Sequence, residues 1–243
     1  MKETIRLDRL LSNTGLLTRK EAKIYARQGR INVNGETIFD SSTGVSVGDN
    51  ISVDGEIIDS RLSRHIMLNK PLGYITASKD SNSPTVMDLL PSKYLALKCM
   101  PVGRLDKDTE GLLLFTTDGT LNHRLCSPKY GVKKCYHALV CGEVQDSTTE
   151  AFQKGIRLSD FTSKPASLEI ISKDEGNTLC EVIITEGKYR QVRRMFLACG
   201  HEVLKLKRIA FGDVLLDSSL APGTYRDLSD TELLSLYRSV NYE

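Results

Sequence analysis

Most of what would place this chain in a membrane or an oxidising compartment is absent from it. No apolar run approaches the roughly 20 residues that cross a bilayer, and the opening MKETIRLDRL has no apolar stretch of the secretory type. The six cysteines (Cys99, Cys126, Cys135, Cys141, Cys180 and Cys199) include no C-x-x-C pair. Cys135/His137 and Cys199/His201 are C-x-H pairs, too few and too irregular for a zinc site. Scattered thiols of this kind fit a reducing cytoplasm, with neither a disulfide framework nor a membrane partner expected. Internal repeats and low-complexity tracts are missing too, and so is net charge, which is only +2 over 243 residues.

What is there is an ordinary globular composition, 40% hydrophobic and 26% charged, long enough for one large or two small domains. The charge is unevenly placed. Residues 1–30 carry eight basic side chains against three acidic ones, and residues 186–208 carry seven against two. Two basic patches on a near-neutral chain suggest a polyanion held at chosen places.

Leu7, Leu10 and Leu11 mark an amphipathic helix over Ile5 to Ser12, with Gly15 placed to close it. Thr18–Glu21 has capping-box form, so a second helix runs from there to Gln28, before Gly29. Arg19, Lys20, Lys23 and Arg27 share one face of it. Ile31 and Val33 alternate into an Asn34-Gly35 hairpin turn, and VSVGDNISVDGEII supplies further short strands. Residues 1–59 therefore read as a two-helix, small-sheet module, residues 60–65 as a polar linker and residues 66–243 as a second domain. In the second domain HIMLNKPLGYITA, LLLFTTDG, KKCYHALV and TLCEVIITEG read as strands, with helices near 148–155, 189–199 and 230–238. No regular βαβ rhythm appears, which predicts an α+β fold on a mixed, largely antiparallel sheet with flanking helices.

Two stretches offer chemistry. DKDTEG, Asp106 to Gly111, begins like a calcium loop, but its twelfth position is Thr117, which cannot give two carboxylate oxygens, and an apolar strand follows instead of a helix. A two-metal nuclease needs carboxylates converging from several places, whereas these form one local run. Spacing alone does not choose among Asp106, Asp108 and Glu110. In GKYRQVRRMFLACG, Val192, Met195, Phe196 and Cys199 define a buried helix face. Arg190 and Arg194 then point to solvent or RNA, and Arg193 lies on the border.

RLDRLLSNTGLLTRKEAKIYARQGRINVNGE, with the later VGDNISVDGE, resembles the S4-type RNA-binding domain. That resemblance implies phosphate contacts from Arg6, Arg9, Arg19, Lys20, Lys23 and Arg27, which position RNA without reading its sequence. Residues 66–238 resemble the catalytic domain of a bacterial ribosomal RNA pseudouridine synthase of the RsuA type, through LNKPLGY, GRLDKDTEGLLLFTTDG, KKCYHALV and GKYRQVRRM in that order. The resemblance implies Asp106 as the catalytic carboxylate, Tyr136 as the residue stacking on the target base, and Arg193 as the cation pairing with Asp106. Asp108 and Glu110 are then expected to be turn residues. Lys70, Arg104, Arg190 and Arg194 are expected to touch RNA, with Arg104 placed to fill the space left by the displaced base.

The implied reaction breaks the uridine N1–C1′ bond and rejoins the base through C5, so no cofactor and no metal are expected. The expected partner is ribosomal RNA or an assembling ribosomal subunit, bound by a monomer. GIRLSDFTSKPASLEII and SLAPGTYRDLSDTEL favour the branch acting on 16S RNA. The alternatives are the same reaction on 23S RNA and a non-catalytic RNA-binding ribosome-assembly protein. The target uridine is not legible.

Overall fold

In the computed structural model, which describes residues 4–46, 48–59 and 63–242, the chain divides into two compact units. One comprises Met1–Arg64 with Leu90–Met100, the other His65–Leu89 with Pro101–Glu243. Of the expected linker, residues 60–62 lie outside the described residues. Arg64, at its end, is buried and ion-paired with Asp59 at 2.6 Å.

The first unit begins one element earlier than the leucine spacing suggests. Thr4 and Ile5, both β-branched, lie in strand β1 (Thr4–Arg6), and helix α1 covers Leu7–Asn13. The capping box of α2 (Arg19–Arg27) forms as the sequence requires: the Glu21 amide donates to the Thr18 hydroxyl, and the Thr18 amide donates to the Glu21 carboxylate. Strands β2 (Ile31–Val33), β3 (Glu36–Thr37), β5 (Ile51–Val53) and β6 (Glu56–Ile57) form one antiparallel sheet, while β4 (Gly44–Ser46) pairs with β1. Its hairpins turn on Asn34-Gly35 and Asp54-Gly55, each with two successive positive φ angles, as a two-residue primed turn demands. Leu7, Leu10, Leu11, Ala22, Ala26, Ile31 and Ile51 are fully buried and hold the unit together. The short helix α3 (Ser92–Ala96), unforeseen from the sequence, also belongs to this unit.

The second unit is built on a twisted sheet of β7 (His65–Lys70), β8 (Met100–Pro101), β9 (Glu110–Thr116), β10 (Lys134–Cys141), β11 (Ser167–Asp174), β12 (Asn177–Ile184), β13 (Val203–Phe211), β14 (Val214–Leu215) and β15 (Tyr225–Asp227). The main order is β11-β12-β10-β13-β9-β7-β15. Along that path the pair β9–β13, at its middle, is parallel and the other assigned pairs are antiparallel. The sheet is thus mixed and largely antiparallel. Helices α4 (Gly119–Cys126), α5 (Asp146–Lys154), α6 (Gln191–Ala198) and α7 (Asp230–Ser239) flank it. Leu112 and Leu114 join a core with Leu121 and Leu125 of α4 and Leu236 of α7. Because β9 is covered on both faces, its run LLLF is continuous instead of alternating.

Candidate active site

The site grows from one loop, Arg104 to Thr109, and from a brace that holds it. Lys70 ends β7 with no solvent exposure, and its Nζ donates to the carbonyls of Pro71 (3.1 Å), Asp106 (3.0 Å) and Thr109 (2.7 Å). The Gly73 amide donates to the Lys107 carbonyl at 2.9 Å. The Thr76 hydroxyl donates to the Leu105 carbonyl at 2.8 Å and accepts from the Leu105 amide at 3.1 Å. The LNKPLGYIT segment therefore fixes the backbone on either side of Asp106. Lys70, expected among the RNA contacts, is instead an internal brace: its three donors are turned onto backbone carbonyls. Burial lowers its pKa to about 8, against the pull of Asp106, Asp108 and Glu110.

The far end of the loop is fixed by Gly111. Its φ is +102°, and a Cβ there would lie 2.3 Å from the Arg208 carbonyl oxygen. Only glycine lets β9 come this close to β13 where the two run parallel. That explains the glycine at the end of DKDTEG.

The loop borders a cavity of about 330 Å³. Asp106, half-buried, is the one acid among the described residues lining it, and Arg104, Lys134, Tyr136, Arg190 and Arg208 line it too. Among the described residues the Asp106 carboxylate has no hydrogen-bond or ion-pair partner. Its neighbour is engaged: Asp108 accepts a bidentate pair from Arg190 at 2.9 and 2.8 Å, and these bonds, with Arg193 nearby, hold its pKa below the usual carboxylate value. The geometry separates three acids that spacing could not.

Arg193 departs from expectation. Its guanidinium donates to the Val203 carbonyl (2.7 Å) and the Asp108 carbonyl (2.7 Å), and its Nε lies 3.4 Å from Asp108 Oδ2. It ties α6 and β13 to the Arg104–Thr109 loop and is paired with Asp108, not Asp106. Asp106 is still close enough to favour the charged forms of Arg190 and Arg193. Arg190, expected to face solvent or RNA, is the left-handed N-cap of α6 (φ +48°) and is turned onto Asp108. Arg194 pairs with Asp160 and reaches the Ser159 hydroxyl at 3.2 Å. The basic run of residues 186–208 is thus not one solvated surface.

Tyr136 occupies β10 as the alternation predicts. It is 7% exposed, in line with buried Ala138 and Val140. A bulge between Cys135 and Tyr136 sets Tyr136 opposite Arg208 of β13. Arg208, 1% exposed, donates its Nε–H to the Leu112 carbonyl at 2.8 Å. By charge alone Arg208 belongs to the basic run of residues 186–208. The period of two through Leu206, Arg208 and Ala210 was the signal that it faces inward.

In the first unit Arg9, Arg19, Lys20, Lys23 and Arg27 are exposed. Among the described residues the four cations of α2 form no ion pair. Arg19 and Lys20 sit in the first helical turn, where positive charge is unfavourable by roughly 0.3–1 kcal/mol each. Arg6 is paired with Asp8 at 2.8 Å.

A family model for RNA pseudouridylate synthase matches residues 64–198, and one for the S4 domain matches residues 5–51. The chain belongs to the RNA pseudouridylate synthase family. It is 42% identical to an RNA pseudouridine synthase of Bacillus subtilis, over 94% of this chain and 97% of that one. It is 37% identical to ribosomal small subunit pseudouridine synthase A of Escherichia coli, over 96% of this chain and 100% of that one. A crystal structure of a pseudouridylate synthase superposes with a TM-score of 0.66 at 37% identity, covering 96% of this chain and 99% of that one. The chain is thus an RNA pseudouridine synthase carrying an S4 domain. Among its described residues no helix is long and apolar enough to cross a membrane.

For this synthase the Asp108 contacts carry a consequence. Asp108→Asn removes the charge that holds Arg190 at the cavity and part of the field on Arg193. Charge-assisted bonds of this type contribute about 1.5–3 kcal/mol, so kcat/KM is expected to fall roughly ten- to hundredfold. A double-mutant cycle with Arg190→Gln should be strongly non-additive. Full activity in Asp108→Asn would mean that the residue only shapes the turn.

Proposed function

We propose that this enzyme isomerises a uridine of 16S ribosomal RNA, with Asp106 as the catalytic carboxylate acting on the ribose at C1′. The observation that carries the catalytic assignment is the placement of Asp106: among the described residues its carboxylate is the acid at a cation-lined cavity and has no hydrogen-bond or ion-pair partner, on a backbone braced by Lys70 and Thr76. Tyr136, at the inner wall, offers its ring to a uracil turned out of the RNA. Arg190 and Arg193 act through Asp108 to keep the loop in place. Arg104, exposed at the cavity, reaches the surrounding RNA. The 16S reading is supported by the Escherichia coli relative, a ribosomal small subunit pseudouridine synthase, which matches over nearly the whole of both chains. It implies a cytoplasmic enzyme that meets naked ribosomal RNA or an assembling small subunit.

In this reading residues 1–59 supply affinity and placement, and residues 66–243 supply the chemistry. Arg19 and Lys20, set in the first turn of α2 where positive charge is unfavourable in the free protein, are suited to phosphate, and Lys23 and Arg27 extend the same exposed face. Changing Arg19, Lys23 and Arg27 together to Ala should flatten the log–log salt dependence of RNA binding by about three units, roughly one per lost contact. The substrate concentration for half-maximal rate should rise, while the single-turnover rate at saturating RNA holds. Unchanged affinity and salt slope would reduce this face to a solvated helix surface.

A further inference from the structure

Two cations that line the cavity, buried Arg208 and half-buried Lys134, have no part in the mechanism so far. Lys134 and Arg208 reach it from neighbouring strands, on the sheet face that also presents Tyr136. Lys134 Nζ and the Arg208 guanidinium carbon each lie 5.2 Å from the centroid of the Phe211 ring. Lys134 donates to the Val132 carbonyl at 2.9 Å. Arg208 Nη2 is buried without a hydrogen-bond partner. Among the described residues neither cation is ion-paired with a carboxylate. Burial, and then the charge of Arg208, lower the pKa of Lys134 to about 8, with Cys126 and Glu186 opposing. Two like charges without a carboxylate partner at one cavity are costly to hold in the free protein. An arrangement of this kind is preorganised for negative charge.

We propose that Lys134 and Arg208 bind the carbonyl oxygens of the displaced uracil and stabilise the anion formed when it leaves the sugar. The inference rests on the reading of Asp106 as the catalytic carboxylate. With Asp106 at the ribose, the phosphates of the target nucleotide belong toward the exposed side, where Arg104 lies. The base is the part of the nucleotide that extends furthest inward, beside Tyr136. Whether Asp106 attacks C1′ or takes a proton from the sugar, the N1–C1′ bond breaks with both electrons going to the ring. The resulting charge spreads over N1, O2 and O4, where Arg208 Nη2 and the remaining Lys134 donors can meet it. The ring then turns and C5 bonds to C1′, displacing the Asp106 carboxylate if it had attacked there, or with the abstracted proton returned to the sugar if it had acted as a base; the C5 proton leaves and N1 gains one, so the isomerisation consumes nothing.

The test is single-turnover kinetics at saturating ribosomal RNA taken from a strain lacking the protein, with RNA affinity measured in parallel. The full-length variants are Lys134→Met, Lys134→Arg, Arg208→Lys and Asp106→Asn. Lys134→Met should slow the chemical step about a hundredfold, with Kd for RNA unchanged within about threefold. Lys134→Arg should recover at least about tenfold of that loss, a rescue that follows charge and not packing. Arg208→Lys should also slow the chemical step. Because Arg208 braces Leu112, this variant counts only where its circular dichroism and thermal melt match the wild type, and the Lys134 pair decides otherwise. A folded Lys134→Met enzyme with a wild-type rate constant overturns the proposal. So does a loss confined to affinity, which would assign the cations to a phosphodiester. Activity in Asp106→Asn would overturn the underlying site reading. An inactive Asp106→Asn beside a normal Lys134→Met would overturn the present inference alone.

Discussion

Asp106→Asn is expected to lower the single-turnover rate of pseudouridine formation by more than roughly ten-thousandfold, while RNA affinity stays within about threefold of wild type. The substitution keeps the size and planar shape of the side chain and removes only the charge. The fold should tolerate it, because Asp106 holds its place through its backbone: the carbonyl accepts from Lys70 Nζ and from the Thr109 amide, and neither bond involves the carboxylate. The contrast with Asp108→Asn is the informative part. Both variants remove one negative charge from the same loop, two residues apart. The smaller loss expected at Asp108 comes through Arg190 and Arg193, whereas the loss at Asp106 removes the carboxylate proposed to act on the ribose. Comparable losses in the two variants would mean that net charge in the loop, and not one carboxylate at the cavity, drives the reaction.

The largest effect on stability is expected from Gly111→Ala. The added Cβ would lie 2.3 Å from the Arg208 carbonyl oxygen and 2.9 Å from its amide nitrogen, both backbone atoms of the adjacent strand. Neither can move aside without parting β9 from β13 in the middle of the sheet. The φ of +102° adds strain for any residue with a side chain. A cost above about 4 kcal/mol is expected, a large share of the roughly 5–15 kcal/mol that holds a domain folded. The protein should be recovered largely insoluble, or with a sharply lowered denaturation midpoint. Gly119→Ala is the control, since no atom lies within 4 Å of a Cβ built there and the residue opens helix α4. It should be neutral or stabilise by up to about 1 kcal/mol. Equal stabilities for the two variants would contradict the close approach at Gly111.

The elements written in short-range pattern were legible before the structure. The capping box at Thr18, the Asn34-Gly35 hairpin and the alternation of Tyr136, Ala138 and Val140 each depend on neighbours a few residues apart. Helix α4 was not, because Thr117-Asp118-Gly119 reads as a turn. Its real signal is Asp118, whose side chain accepts from the Leu121 amide as an N-cap. The helical reading of Ile5 failed because β1 is set by pairing with residues 44–46, about 40 positions away. The site divides in the same way. Motif order pointed to Asp106, but the partners of the charged residues depend on contacts distant in sequence. Lys70 looks like any surface lysine until its donors are seen on the carbonyls of residues 106 and 109. Arg193 and Arg190 meet Asp108 across more than 80 residues, so no local pattern assigns them.

The most direct test of the central claim is pseudouridine mapping of 16S and 23S RNA from a strain lacking this protein, complemented by the wild-type gene or by Asp106→Asn. The account predicts one pseudouridine missing from 16S RNA, restored by the wild type and not by Asp106→Asn, with 23S RNA unchanged. An unaltered pattern in both RNAs, or restoration by Asp106→Asn, would contradict it.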